Sequence, residues 1–226
     1  MSRAATTDVL VVAAHPPELA GLKPLLGDRL RASVHDVEVA AEAVGIGLAA
    51  AAAGTAMALR AHIPRCIVLV GTCGAYPDRA PDLGLLQVIA ASRIRLASTA
   101  AVEGRGAFPG PMLVGVDPDA SLSQALAGDD VRRVGVATTL AITTDDALAG
   151  RVSSALECEV EHLEAFAVVA ACARLHVPTA VVLGVANRVG RSARDEWLRH
   201  HQAAGNAATD VVAAWLGRGA PGAIRT

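Results

Sequence analysis

Two apolar runs constrain this chain more than any other feature. Residues 66–71 read "CIVLVG", and residues 178–186 read "PTAVVLGVA", apolar without interruption from Ala180 onward. A strand with one wet face alternates apolar and polar residues; a strand covered on both faces does not. These runs therefore predict a sheet with helices packed on either side. Further strand-like runs fall at 8–14, 37–45, 84–91 and 133–139, and helix-like segments at 17–26, 47–62, 144–156, 162–176 and 194–217. Their alternation predicts an α/β fold with an at least partly parallel sheet and a single domain over residues 1–226.

Local signals place several boundaries. Thr144 reads as the N-cap of the 144–156 helix, with Asp145 and Asp146 as first-turn acids. Pro178 ends the helix before it, because the residue preceding proline is pushed out of the α region. Residues 101–120 hold Gly and Pro without periodicity and read as a long loop, and residues 219–226 as a frayed tail. Segment 43–59 is Ala- and Gly-rich, which predicts a helix buried against the sheet and not a membrane span. The run at 8–14 meets Pro16-Pro17 too soon for a signal peptide and reads as a first strand.

Composition narrows the partners. The chain is 53% hydrophobic but only 2% aromatic, so its core must come from many small aliphatic contacts. A net charge of −2 provides no broad attraction to nucleic acid or to an acidic membrane. Cys66, Cys73, Cys158 and Cys172 form no C-x-x-C pair and read as buried, reduced thiols of a cytoplasmic protein.

In an open α/β sheet, ligands bind outside the carboxyl ends of the strands. Glu18 follows the first strand, Thr72 and Gly74 follow "CIVLVG", Glu164 opens a helix, and Asn187 closes the last strand. Each has an ordinary reading as a cap, dipole partner or turn residue. Gly45-Ile46-Gly47 fits a dinucleotide glycine motif, but no acid follows the next strand to hold a ribose, so no such cofactor is expected. The glycines would still let backbone approach a ligand at a helix N-terminus. Two carboxylates, a hydroxyl and a carboxamide, without a metal cluster, suit cleavage of a sugar–base bond. One carboxylate can deprotonate water and favour an oxocarbenium-like transition state, while the other holds ribose hydroxyls.

Four segments resemble the nucleoside phosphorylase/nucleosidase superfamily, specifically its hydrolase branch. "VVAAHPPELAGL" resembles the first-strand motif whose glutamate activates water, and "VGIGLAAAAAGTAMAL" the Gly-x-Gly stretch and its helix. "LVGTCGAYPDRAPDLGLLQVI" resembles the Gly-Ser/Thr-x-Gly turn, and "VEHLEAFAVVAACARLHVPTAVVLGVAN" the M-E-[GA] helix and the S-[DN] strand end. The resemblance implies a phosphorylase/hydrolase-like three-layer α/β/α fold with a central mixed, partly parallel twisted sheet. It implies Glu18 as the base, Glu164 as the ribose ligand, Thr72 and Gly74 lining the sugar or water site, and Asn187 facing purine N7 and the 6-substituent. Leu163 and Phe166 flank Glu164 as further substrate contacts, although Phe166 also lies on the apolar helix face; Tyr76, Phe108 and Trp197 are the other candidates for stacking on the base. His162 and Leu163 replace an acid or amide and a methionine, and Leu183 and Ala186 stand where the family has arginine and serine. "VANRVGRSARDEW" is similar to a segment of futalosine hydrolases, which release hypoxanthine from futalosine in an alternative menaquinone route. The expected partner is a small purine nucleoside, with no cofactor or metal, in a homodimer or higher homo-oligomer. The rival readings are a methylthioadenosine/adenosylhomocysteine nucleosidase, a purine nucleoside phosphorylase and a non-catalytic nucleoside-binding protein.

Overall fold

Strands β1 (Val9–Ala13), β4 (Cys66–Ala75) and β9 (Thr179–Arg188) run parallel side by side in the computed structural model, which describes residues 7–223. Outside β1 lie β3 (Val37–Ala43), parallel to it, and β2 (Arg31–Val34), joined to β3 as a hairpin through His35 and Asp36. Both turn residues have positive φ, as a two-residue hairpin with the sheet's right-handed twist requires.

On the other side the sheet closes on itself. β9 pairs antiparallel with β5 (Val88–Leu96), which pairs parallel with β7 (Arg132–Thr138), which pairs parallel with β8 (Val160–Glu161). β8 returns antiparallel to the end of β4, completing a ring of five strands. The fold is thus α/β with a central mixed sheet, as expected, and half of that sheet is curled into a ring. β6 (Gly115–Val116) pairs with the outer end of β5.

Both faces of the central strands are covered, which explains the unbroken apolar runs. Leu10, Val12, Ile67, Leu69, Val181 and Leu183 pack with α2 (Leu48–His62) and α6 (Ala165–Ala173). Their neighbours Val9, Val11, Cys66, Val68, Val70 and Val182 pack with α7 (Ala193–Gly217) and α4 (Ala120–Ala127). The four cysteines are buried and free. Among the described residues no helix is long and apolar enough to cross a membrane.

Several expectations are corrected. The 17–26 segment is a 3-10 helix, Pro16–Leu22, followed by the short α1 (Lys23–Leu26), because Pro24 removes a donor a continuous helix would use. β5 begins four residues after the expected 84 and runs on through Arg93-Ile94-Arg95-Leu96, whose alternation marks a strand with one wet face. The loop at 101–120 begins within α3 (Thr99–Val102) and is pinned by β6. Asp145, not Thr144, caps α5 (Asp146–Leu156), accepting from the Leu148 N–H at 2.7 Å. Residues 219–223 of the expected tail are packed: Ala220 and Ala223 are buried, and the Trp215 indole donates to the Pro221 carbonyl. The remainder of that tail, 224–226, lies outside the described residues.

Candidate active site

Glu18 is delivered by the end of β1. Pro16 and Pro17 open the 3-10 helix where the missing N–H groups are not needed, which puts Glu18 in its first turn. One carboxylate oxygen, Oε2, accepts the His15 N–H at 3.1 Å, as a capping residue does. The other, Oε1, crosses to the Thr72 N–H on β4 at 3.2 Å. The two oxygens of one side chain thus tie the start of the 3-10 helix to β4. Burial pushes its carboxyl up to about 7, opposed in part by the His15 N–H and reinforced by the negative charge of Glu164.

Glu164 arrives from the opposite direction. Ring closure by β8 sets Glu161 opposite Gly74, and the chain then turns through His162 and Leu163 to put Glu164 at the start of α6. It is 4% exposed, and its side chain does not cap its own helix. Instead Oε1 accepts the Gly47 N–H at 2.7 Å. Gly47 precedes α2 with a positive φ, a conformation open to glycine, so the positive end of α2 faces this carboxylate. The Gly-x-Gly stretch does bring backbone to an anion at a helix N-terminus; the anion is a side chain of the protein itself.

Under Glu18 and His162 lies Gly71. A Cβ there would stand 3.0 Å from Glu18 Oε1 and 3.4 Å from His162 Nε2. A side chain there would force the carboxylate to shift by a few tenths of an ångström. Neither Gly71 nor His162 was legible as a site residue: Gly71 reads as strand interior, and His162 only as a departure from the family pattern.

Asn187 is oriented by a bulge. The β4–β9 register passes from Cys73↔Val185 to Gly74↔Asn187, skipping Ala186. The extra residue re-aims the strand end, so Asn187 shares the face of Gly74. Gly74 makes room for it, since a Cβ at that position would lie 2.8 Å from Asn187 Nδ2. Gly74 is paired with β8 and β9 and gives space to a side chain. Asn187 Nδ2 donates to the Arg188 carbonyl at 2.9 Å, leaving Oδ1 and a second N–H.

The remaining candidates separate. The Thr72 hydroxyl oxygen accepts from the Trp197 indole of α7 at 3.1 Å, and Trp197 stacks on His201 with ring centroids 4.2 Å apart. Leu163 is half-buried beside Glu164. Phe166 packs in the α2 and α6 cluster, and Phe108 lies partly buried against that cluster. Tyr76 is fully buried, and its hydroxyl donates to Glu161 Oε2 at 3.0 Å, so it is not available to stack on a base. Glu161 also accepts from the Thr143 N–H and hydroxyl, tying the loop after β7 to the strand that closes the ring.

A family model described as the phosphorylase superfamily matches residues 9–216. The chain belongs to the phosphorylase superfamily. No curated protein matches it in sequence. In three dimensions it is similar to the Helicobacter pylori 5′-methylthioadenosine/S-adenosylhomocysteine nucleosidase, with a TM-score of 0.84 at 13% identity over 95% of this chain and 99% of that one. It is similar to the Helicobacter pylori futalosine hydrolase, at 0.83 and 12% identity over 94% and 98% of the two chains. A Colwellia psychrerythraea methylthioadenosine/adenosylhomocysteine nucleosidase solved with adenine follows at 0.79 and 19% identity, over 94% and 96%. At these identities the superfamily fold is shared across nearly the whole chain.

Proposed function

We propose that this chain hydrolyses the N-glycosidic bond of purine nucleosides, with Glu18 activating water, Glu164 holding ribose hydroxyls and Asn187 receiving the departing base. The observation that supports it most is a pair of buried carboxylates, Glu18 and Glu164, close enough for the charge of Glu164 to add to burial in raising the carboxyl of Glu18 to about 7. A base works best when its pKa lies near the working pH, and an ionised carboxylate beneath the anomeric carbon also favours the oxocarbenium-like transition state. Among the described residues, Glu18, Glu164 and Thr72 have no lysine or arginine among their hydrogen-bond and ion-pair partners, which favours water over phosphate as the nucleophile.

Asn187 bears on the base. The departing purine takes up a proton at N7, so a 6-oxopurine then offers one donor, N7–H, and one acceptor, O6. A carboxamide complements that pair with its oxygen and its N–H. A 6-aminopurine offers two donors, which a carboxylate would complement better. The free Oδ1 and second N–H of Asn187 therefore favour hypoxanthine, and futalosine over methylthioadenosine.

The test is a panel of futalosine, methylthioadenosine and inosine, assayed for free base with and without phosphate. Hypoxanthine from futalosine without phosphate is the expected result, and Asn187→Asp should move the kcat/KM ratio toward methylthioadenosine by about tenfold. Base release only with phosphate would make the protein a phosphorylase; calorimetric binding without turnover would make it a binding protein. Gly71→Ala, whose methyl would press on Glu18, should lower kcat/KM by about tenfold or more. Circular dichroism of this variant should stay unchanged; a lost fold would assign Gly71 to packing alone. The same reading includes a homo-oligomer, supported by exposed Ile46, Leu140 and Ile142 in the loops after β3 and β7.

A further inference from the structure

His162 is 5% exposed and stands between the chemistry of Glu164 and the end of a helix. Its Nδ1 accepts two backbone N–H groups, that of Glu164 at 3.2 Å and that of Ala165 at 3.0 Å. A nitrogen that accepts hydrogen bonds carries no proton, so the ring is a neutral imidazole with its proton on Nε2. That nitrogen faces Glu164 Oε2 at 3.4 Å and the space over Gly71 that it shares with Glu18. Burial acts in the same direction, lowering the imidazole pKa against the pull of the Glu164 charge.

We infer that His162 is a positioning residue, whose Nε2–H orients the Glu164 carboxylate toward the substrate while its Nδ1 caps α6. This rests on the reading of Glu164 as the ribose ligand. Glu164 is otherwise held by one oxygen only, through Gly47. A carboxylate held by one oxygen can rotate; the second donor defines its plane and leaves the outward lone pairs for ribose hydroxyls. At 3.4 Å the two atoms face each other without the alignment of a hydrogen bond, and the inferred hydrogen bond would form as the sugar binds. Neutrality matters as much as direction. An imidazolium here would neutralise Glu164 and help Glu18 to ionise, whereas an acid would place a third negative charge beside two. The neutral donor holds one carboxylate without altering the charge sensed by the other.

The two ring nitrogens can be tested separately. The side-chain oxygen of Asn lies near the position of Nδ1, and the side-chain nitrogen of Gln near that of Nε2. His162→Asn therefore keeps the cap and loses the donor; His162→Gln keeps the donor and loses the cap. The inference expects His162→Asn to raise KM by about tenfold with little change in Tm, and His162→Gln to keep KM within about threefold while lowering Tm. The reverse pattern, KM kept in Asn and lost with Tm in Gln, would reduce His162 to a helix cap and overturn the inference. Nitrogen-15 NMR of the His162 ring provides a readout that does not require turnover. The ring should remain the neutral Nε2–H tautomer between about pH 5.5 and 8.5, and its Nε2 resonance should shift in Glu164→Gln. A proton on Nδ1, or a resonance indifferent to Glu164, would overturn the inference. If no nucleoside in the panel is cleaved, the proposed function fails while the NMR comparison still decides the contact.

Discussion

Glu18→Gln should stop base release, with kcat/KM falling by about a thousandfold, because the amide keeps the shape of the side chain but cannot take a proton. In the unaltered protein kcat/KM should rise with pH through about 7, as the carboxyl of Glu18 ionises. Stability should move the other way. Burial raises this carboxyl from the ordinary 4.5 to about 7, so between those values the folded chain holds a proton that the unfolded chain has released. When the folded state binds more protons, stability falls as pH rises. The contribution is fully present below about 4.5 and lost through about 7. Denaturant unfolding of the two proteins at several pH values should show the unaltered chain losing on the order of 2 kcal/mol relative to Glu18→Gln across that interval. The loss of activity would then coincide with a gain in relative stability, which a merely structural glutamate would not produce. Base release by Glu18→Gln, or a stability difference indifferent to pH, would remove Glu18 from its assigned role.

Gly184→Ala should be among the most damaging single methyls in the scaffold. Gly184 lies in β9 opposite Thr72, and α7 packs directly on its Cα: a Cβ would stand 2.0 Å from the Ala204 carbonyl oxygen. Backbone cannot swing aside as a side chain can, so α7 must lift away from the sheet. Overpacking of this kind costs about 3 kcal/mol or more, which for a chain of this size lowers Tm by roughly 10 °C. Activity should fall too, since β9 carries Asn187 and α7 carries the Trp197 that holds the Thr72 hydroxyl. Gly205→Ala is the control. It lies on α7, yet its Cβ would meet only Thr72 Cγ2, at an ordinary 3.8 Å. Inside a helix alanine is favoured over glycine by about 1 kcal/mol, so Gly205→Ala should leave Tm equal or higher. Equal losses in both variants would refute this account of the α7–β9 contact.

Where sequence reading succeeded, the signal was local. The unbroken runs in β4 and β9 reflect burial on both faces, and each residue carries that information itself. β8 is different. It lies in the acidic stretch "ECEVEHLE" and is a strand only because Gly74 and Ala75 on one side and Val136 and Ala137 on the other supply its partners. A two-residue strand has no periodicity to detect. The helix expected from 162 begins at Ala165, because residues 162–164 are held by the Ala137 carbonyl and the His162 ring before the first helical turn.

The site divides in the same way. Glu18, Thr72, Glu164 and Asn187 could be proposed from sequence, since each is a polar residue at the boundary of an element, and such boundaries are written in short stretches of chain. That Glu18 Oε1 meets the Thr72 N–H, that Gly47 rather than a ligand receives Glu164, and that His162 faces both acids depend on contacts between residues 54, 117 and more positions apart. A bulge of one residue turns Asn187, and closure of the ring carries Glu164 to the α2 N-terminus. The raised affinity of Glu18 for its proton belongs to neither end of the chain alone. It arises from the loss of water around that carboxyl and the nearby charge of Glu164, conditions that exist only once the sheet has curled and both faces are covered.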